Sequence, residues 1–134
     1  MTSTHTGNPV CSAAALASIN YLLDNNIVEN CANMSKICEK RLNEIIEKYK
    51  DYVGFVKGVG LAWALILVKK GTKEIDPELA HDVVETAMRK GLLLFAPVGD
   101  GATLKIVPPL IINAEELNEG FDVLDEALSE VIGQ

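Results

Sequence analysis

Basic residues are scarce in this sequence, and it has no long apolar run. Lysine and arginine number 12 against 19 aspartate and glutamate residues, giving a formal net charge of −7. Binding to a nucleic-acid backbone is disfavoured, because it needs a clustered basic surface. The apolar stretch from Val59 to Val68 is far too short to span a bilayer. The N-terminus also lacks the basic and apolar regions of a signal peptide.

Cysteine and histidine are also few. Three cysteines, Cys11, Cys31 and Cys38, make an odd set with no paired framework, which favours a reducing, cytoplasmic compartment. Cys31 and Cys38 lie on one apolar helical face, so we expect them to be core thiols. The two histidines, His5 and His81, are far apart in sequence and have no second ligand at useful spacing. No metal site is expected.

The rest of the composition indicates one folded domain. The chain has 134 residues, of which 49% are apolar, enough for a proper core and too many for disorder. We predict a single unit over 1–134, with a lead-in segment and first helix at 1–25 and the main body at 26–134.

Caps and periodic apolar positions predict four helices. Asn8-Pro9 and Asp76-Pro77 each place a favoured N-cap before a proline at the first helical position. Asn113 has Glu116 three residues on, as in a capping box. The predicted helices run from Val10 to about Leu23, from Ile27 to Tyr49, from Asp76 to Gly91, and onward from Asn113.

Shorter apolar runs predict a small sheet. Leu61–Val68 is apolar on both faces, which is typical of a central strand. We read the glycine-rich Val53–Gly60 as a tight entry into that strand, because the residues of a nucleotide-binding loop do not follow it. Leu92–Pro97 and Thr103–Val107 are predicted strands, joined through a hairpin turn at Val98–Ala102. The fold class is therefore α+β, with a largely antiparallel sheet of three to four strands covered by helices.

The N-terminal run combines hydroxyl groups with a helix start. Thr4-His-Thr-Gly-Asn-Pro9 puts threonines directly before the Asn8-Pro9 cap. A helix N-terminus offers backbone N–H groups and a positive dipole end, so this arrangement can help to hold a phosphate. An ordinary polar cap would have the same composition.

Four blocks of sequence occur in a fixed order along the whole chain. They are Thr4–Ala17, Val56–Leu61, Ala87–Leu94, and Leu104–Ile112 leading into Glu115–Gly120. Together they resemble the C-terminal small domain, with its lead-in segment, of the class III aminotransferases, which are fold-type I enzymes dependent on pyridoxal phosphate (PLP). The resemblance implies an interdomain first helix and a chain that begins in the middle of such an enzyme.

The resemblance also implies roles for particular residues. Thr4 would reach the PLP phosphate of a neighbouring subunit, with His5 in the same cofactor-binding segment. Lys105 stands where the family has an arginine that binds the substrate carboxylate. Lysine offers a point charge instead of two parallel hydrogen bonds, so we expect an amine, an ω-amino acid or an unusual acid as substrate instead of an ordinary α-amino acid. The only arginines, Arg41 and Arg89, fall in predicted helices.

No complete catalytic set is expected within the chain. The resemblance places the lysine that forms the Schiff base with PLP, and the acidic partner of the pyridine nitrogen, in a large domain upstream. We therefore expect part of a PLP-dependent transaminase that neither holds PLP tightly nor turns over by itself. The resemblance implies a homo-oligomer. Two alternatives stay open: a stand-alone ligand-binding or assembly domain, and part of a PLP lyase or mutase on the same scaffold.

Overall fold

The computed structural model describes Thr4, residues 7–95, Pro97, Gly99 and residues 101–133. Within these residues the chain forms four helices and one three-stranded antiparallel sheet, which confirms the predicted α+β class. The elements are α1 (Pro9–Asp24), α2 (Ile27–Lys48), β1 (Val53–Val59), β2 (Ala62–Leu67), α3 (Pro77–Arg89), β3 (Thr103–Ile106) and α4 (Ala114–Ile132).

The predicted helix caps are confirmed. The Asn8 side chain accepts hydrogen bonds at the start of α1, and Asp76 accepts one from the Leu79 N–H at 3.1 Å at the start of α3. At α4 the Asn113 side chain and the Glu116 side chain each accept from the other residue's backbone N–H. These bonds satisfy N–H groups that a helix start otherwise leaves unpaired.

The sheet has the order β1-β2-β3, with β2 central, as the apolar stretch at Leu61–Val68 predicts. β1 and β2 form a hairpin that closes at the Val59–Ala62 pair. Gly60 and Leu61 make the turn, and Gly60 has φ of +60°, a conformation that favours glycine in two-residue hairpins.

Two sequence predictions about the sheet are wrong. The glycine-rich segment at 53–60 is not only an entry to a strand, since it contains β1 itself. Among the described residues of Leu92–Pro97 none lies in a strand, so the predicted partner for β3 is not formed there. Pro97 has no N–H to donate to a ladder, and β3 is only four residues long. Of the predicted hairpin turn, Val98 and Asp100 lie outside the described residues.

The helices cover one face of the sheet and leave the other open. Side chains alternate between the faces of a strand, and on β3 the inward Leu104 and Ile106 are buried while Lys105 between them is exposed. On β2 the inward Leu65 and Leu67 are fully buried. Helices α2 and α3 contact the strands, and α4 packs against both helices.

The cysteines differ in burial, and the predicted core position of Cys38 is confirmed. Cys11 is exposed, Cys31 is half-buried, and Cys38 is buried in α2. Burial disfavours the charged thiolate and raises the pKa of Cys38 to about 11.

Thiol labelling is therefore expected to distinguish the three cysteines. The thiolate is the reactive form, so at neutral pH Cys11 should react first and Cys38 only when the protein unfolds. A disulfide-exchange reagent, with the modified residues assigned by mass spectrometry, measures this order. Labelling of Cys38 in the folded chain as fast as Cys11 would contradict the buried position.

Candidate functional site

Thr4 is an exposed turn residue just ahead of α1. The first N–H groups of this helix are already engaged, because the Asn8 Oδ1 accepts from Val10 at 2.9 Å and from Cys11 at 3.2 Å. The Ser12 N–H donates to the Asn8 carbonyl oxygen at 3.0 Å. The backbone N–H groups at 10–12 are thus already hydrogen-bonded within the chain.

The second predicted cofactor residue, His5, lies outside the described residues. Its assignment rests on the sequence resemblance alone.

Lys105 occupies the middle of β3, at the free edge of the sheet. It pairs directly with Ala64 of β2, so both residues point to the open face, away from the helices. The described residues provide no hydrogen-bond or ion-pair partner for its ammonium group. An exposed, unpaired lysine at this position is able to receive an anionic group of a ligand.

A cleft of about 230 Å³ lies beside Lys105 at this edge of the sheet. Its walls are the segment from Leu92 to Phe95, the end of β3 with the two prolines after it, and one side of α4. Glu116 also lines it, but one Glu116 oxygen accepts from the Asn113 N–H within the capping box. The cleft is therefore largely apolar and suits a small apolar group. Lys105 lines its rim, while its side chain points to the sheet face that the helices do not cover.

Sequence reasoning did not anticipate that Leu92–Phe95 forms a wall of this cleft. Leu93 and Phe95 are 82% and 62% exposed, whereas Leu92 and Leu94 pack against the core. This alternation of exposed and core-packed side chains has a period of two residues, which by itself predicts a strand and gives no sign of a cleft wall.

Thr4 and Lys105 do not form one site within this chain. Across the described residues they share neither a hydrogen bond nor a cleft, and α1 contacts only α2. The two arginines are also engaged elsewhere: Arg41 pairs with Asp122 at 2.6 Å, and Arg89 pairs with Glu85 at 2.7 Å. Neither arginine is among the residues that line the cleft.

None of the ten lysines has the environment of a covalent PLP anchor. A nucleophilic lysine needs a lowered pKa, usually from burial, and every lysine here is exposed. Hydrogen bonding to Asp125 raises the pKa of Lys48, and bonds to Glu74 and Glu130 raise the pKa of Lys69 and of Lys90. These shifts favour the unreactive ammonium form. The residues present thus fit a hydroxyl contact with the cofactor phosphate and do not fit its covalent attachment.

Among the described residues, no group of three or more histidine, cysteine, aspartate or glutamate side chains is placed to hold a metal ion. No described helix is both long enough and apolar enough to cross a membrane.

Comparison with known proteins identifies the family. The family model for aminotransferase class III matches residues 1–128, which is nearly the whole chain. The chain therefore belongs to the class III aminotransferase family.

Individual relatives show how much of the family's length the chain represents. A 4-aminobutyrate aminotransferase from Mycobacterium leprae is 35% identical over 124 residues, covering 92% of this chain and 28% of the relative. An ethanolamine-phosphate phospho-lyase homolog from Caenorhabditis elegans is 35% identical over 130 residues, covering 95% of this chain and 27% of the relative. The PMP-bound form of an aminotransferase from Vibrio fluvialis superposes with a TM-score of 0.87 at 28% identity, covering 100% of this chain and 29% of that one. The chain thus spans less than a third of the length of these relatives.

Proposed function

We propose that this chain is the small-domain part of a PLP-dependent transaminase, which transfers an amino group between an amine or amino acid and a keto acid. The observation that carries the proposal is the family match over residues 1–128, combined with a fold that superposes over its whole length on less than a third of an aminotransferase. A large domain that binds PLP is then the required partner. Because one relative is a phospho-lyase homolog, a lyase on the same scaffold is the second candidate.

The cofactor contacts follow from the groups that are present. PLP, when bound, supplies the electron sink for chemistry at the amino-bearing carbon. Thr4 is proposed to donate its hydroxyl to the PLP phosphate, with His5 beside it in the same segment. The covalent anchor comes from the large domain, because the lysines of this chain are exposed and several are paired with carboxylates. The proposed role of this chain is to orient the PLP phosphate and to form one wall of the substrate pocket.

Helix α1 supports a position between domains. The helix is largely apolar, since it has no charged residue before Asp24 at its end. Even so, none of its residues is buried, and the side chains of Val10 and Leu23 are 75% and 70% exposed. A helix that is apolar around its circumference is normally covered. We propose that the large domain and a second subunit cover it in a homo-oligomer. The three unpaired cysteines support a cytoplasmic location for this assembly.

Lys105 is proposed to bind the carboxylate or phosphate of the substrate. Its side chain is exposed on the sheet face away from the helices, next to the cleft, and no described carboxylate pairs with its ammonium group. A point charge favours amines, ω-amino acids and unusual acids over ordinary α-amino acids, whose carboxylate is best held by a bidentate partner.

A chimaeric enzyme tests the role of Thr4. Residues 1–128 would replace the matching segment of the Mycobacterium leprae relative, and PLP retention would be measured by dialysis against buffer. We expect the chimaera to transaminate and Thr4→Val to weaken PLP binding about tenfold or more, the effect of losing a hydrogen bond to a charged group.

Ser18→Ala is the matched control for this experiment. Ser18 lies on α1 and its exposed hydroxyl donates to the Ala14 carbonyl at 2.9 Å, away from the helix start. Ser18→Ala should leave PLP retention unchanged. Equal retention by Thr4→Val and Ser18→Ala in an active chimaera would refute the phosphate contact.

A further inference from the structure

The face of the sheet that the helices leave uncovered has an uneven distribution of charge. We call it the open face and define it by the outward residues of the three strands. Its residues are apolar or small except for one hydroxyl and two lysines, and none is acidic. The open face consists of Phe55, Lys57, Val59, Ala62, Ala64, Ile66, Thr103 and Lys105.

The two lysines lie in one row across the sheet. Lys57 of β1 pairs with Ala64 of β2, and Ala64 pairs with Lys105 of β3. Directly paired residues point to the same side, and adjacent strands are about 4.8 Å apart, so the two lysine backbones are separated by about 10 Å. Ala64 between them is too small to fill the space, and the flexible stems of both lysines allow their ammonium groups to converge above it.

No carboxylate among the described residues neutralises these two charges. No acidic residue occurs in any of the three strands, although the chain carries 19 acidic residues. The described residues give Lys57, like Lys105, no hydrogen bond or ion pair, whereas Lys48, Lys69 and Lys90 each pair with a carboxylate. Two like charges near one point repel, and an anion held between them would remove that repulsion.

We propose that Lys57 and Lys105 together bind one small dianion above Ala64, either a dicarboxylate or a phosphate. Lys57 is then a specificity-determining residue, because a singly charged ligand uses only one of the two ammonium groups. The site itself follows from strand register and charge. Its interpretation as a substrate subsite, which would make the substrate doubly negative, rests on the proposed function.

Anion titration of the 134-residue chain tests this site without cofactor or turnover. Glutarate and inorganic phosphate would be titrated at about pH 8, where phosphate is mostly doubly charged, with butyrate as the singly charged probe. Binding would be followed by NMR shifts of the β1, β2 and β3 amides. The variants are Lys57→Gln and Lys105→Gln, with Lys73→Gln as the charge-matched control. Lys73 is exposed in the loop before α3.

We expect the two dianions to shift amides around Ala64 and butyrate to bind more weakly. Lys57→Gln and Lys105→Gln should each weaken binding about fivefold, the upper range for one exposed charge pair, while Lys73→Gln changes nothing. Binding of glutarate alone or of phosphate alone would support the site and select the ligand chemistry.

Three results would overturn the proposal. They are unchanged binding in Lys57→Gln, equal binding of butyrate and glutarate, and an absence of shifts around Ala64 with any probe. Loss in Lys105→Gln alone would remove the paired site but leave the proposed substrate contact of Lys105 standing. The transaminase proposal is tested separately by the chimaera, so the two failures are distinguishable.

Discussion

The isolated chain is expected to leave added PLP free and to produce no measurable transamination. Every lysine is exposed, and pairing with carboxylates raises the pKa of Lys48, Lys69 and Lys90, so none is prepared to attack the cofactor at neutral pH. The loss relative to a complete enzyme should be several orders of magnitude, on the scale of removing a covalent catalytic group. The measurements are the PLP absorbance spectrum during titration and pyruvate-dependent turnover of an amine.

The full-length Mycobacterium leprae relative serves as the positive control for both measurements. The free chain should show only the slow, unsaturable reaction expected of exposed lysines. A saturable spectral change accompanied by turnover would mean that a complete reaction centre exists in these residues, and the proposed division between two domains would be abandoned.

Leu104→Ala is expected to lower the free energy of unfolding by about 2–5 kcal/mol, the range for deleting a buried leucine side chain. Leu104 is fully buried on β3, beneath α3 and directly before Lys105. Loss of this side chain removes the packing that holds the strand against the helices. Urea unfolding followed by circular dichroism measures the change.

Leu93→Ala is the matched control, because the same atoms are removed from a side chain that is 82% exposed. It should change the free energy of unfolding by no more than about 0.5 kcal/mol. Similar effects from the two variants would show that Leu104 is not part of the core, and the inward and outward faces of β3 would have to be reassigned.

The helices could be predicted from sequence because their signals are local. Asn8, Asp76 and Asn113 are cap residues whose hydrogen-bond partners lie within three positions. A short stretch of sequence therefore includes both partners of each cap. Apolar positions spaced by three and four likewise identify the buried side of α2, including Cys38.

The strands were harder to predict because their partners are distant in sequence. The glycines of β1 led to the interpretation of this segment as a tight entry into the next strand, yet Gly58 lies within β1 itself. A Cβ at this position would collide with the Trp63 ring and the Ala62 carbonyl oxygen, so the close strand pairing itself requires glycine. At Leu92–Phe95 the alternating pattern was present, but the segment lines a cleft instead of forming a strand.

The candidate site was only partly accessible to sequence reasoning. Thr4 and Lys105 came from the resemblance, and the structure adds that Asn8 already occupies the N–H groups of Val10 and Cys11 at the helix start. Lys57 gave no signal in sequence, because its relation to Lys105 depends on the register of three strands through Ala64. Strand register is set by turn geometry and by packing of the buried face, and a short local motif does not reveal it.

Peptide mapping after borohydride reduction of the chain with PLP tests the central claim most directly, since reduction fixes PLP wherever it has attached to a lysine. The claim is that the ten lysines include no cofactor anchor. The result that we expect is sparse labelling spread over several exposed lysines and equal in folded and unfolded protein. Stoichiometric labelling of a single lysine, lost when the chain is unfolded, would contradict the account.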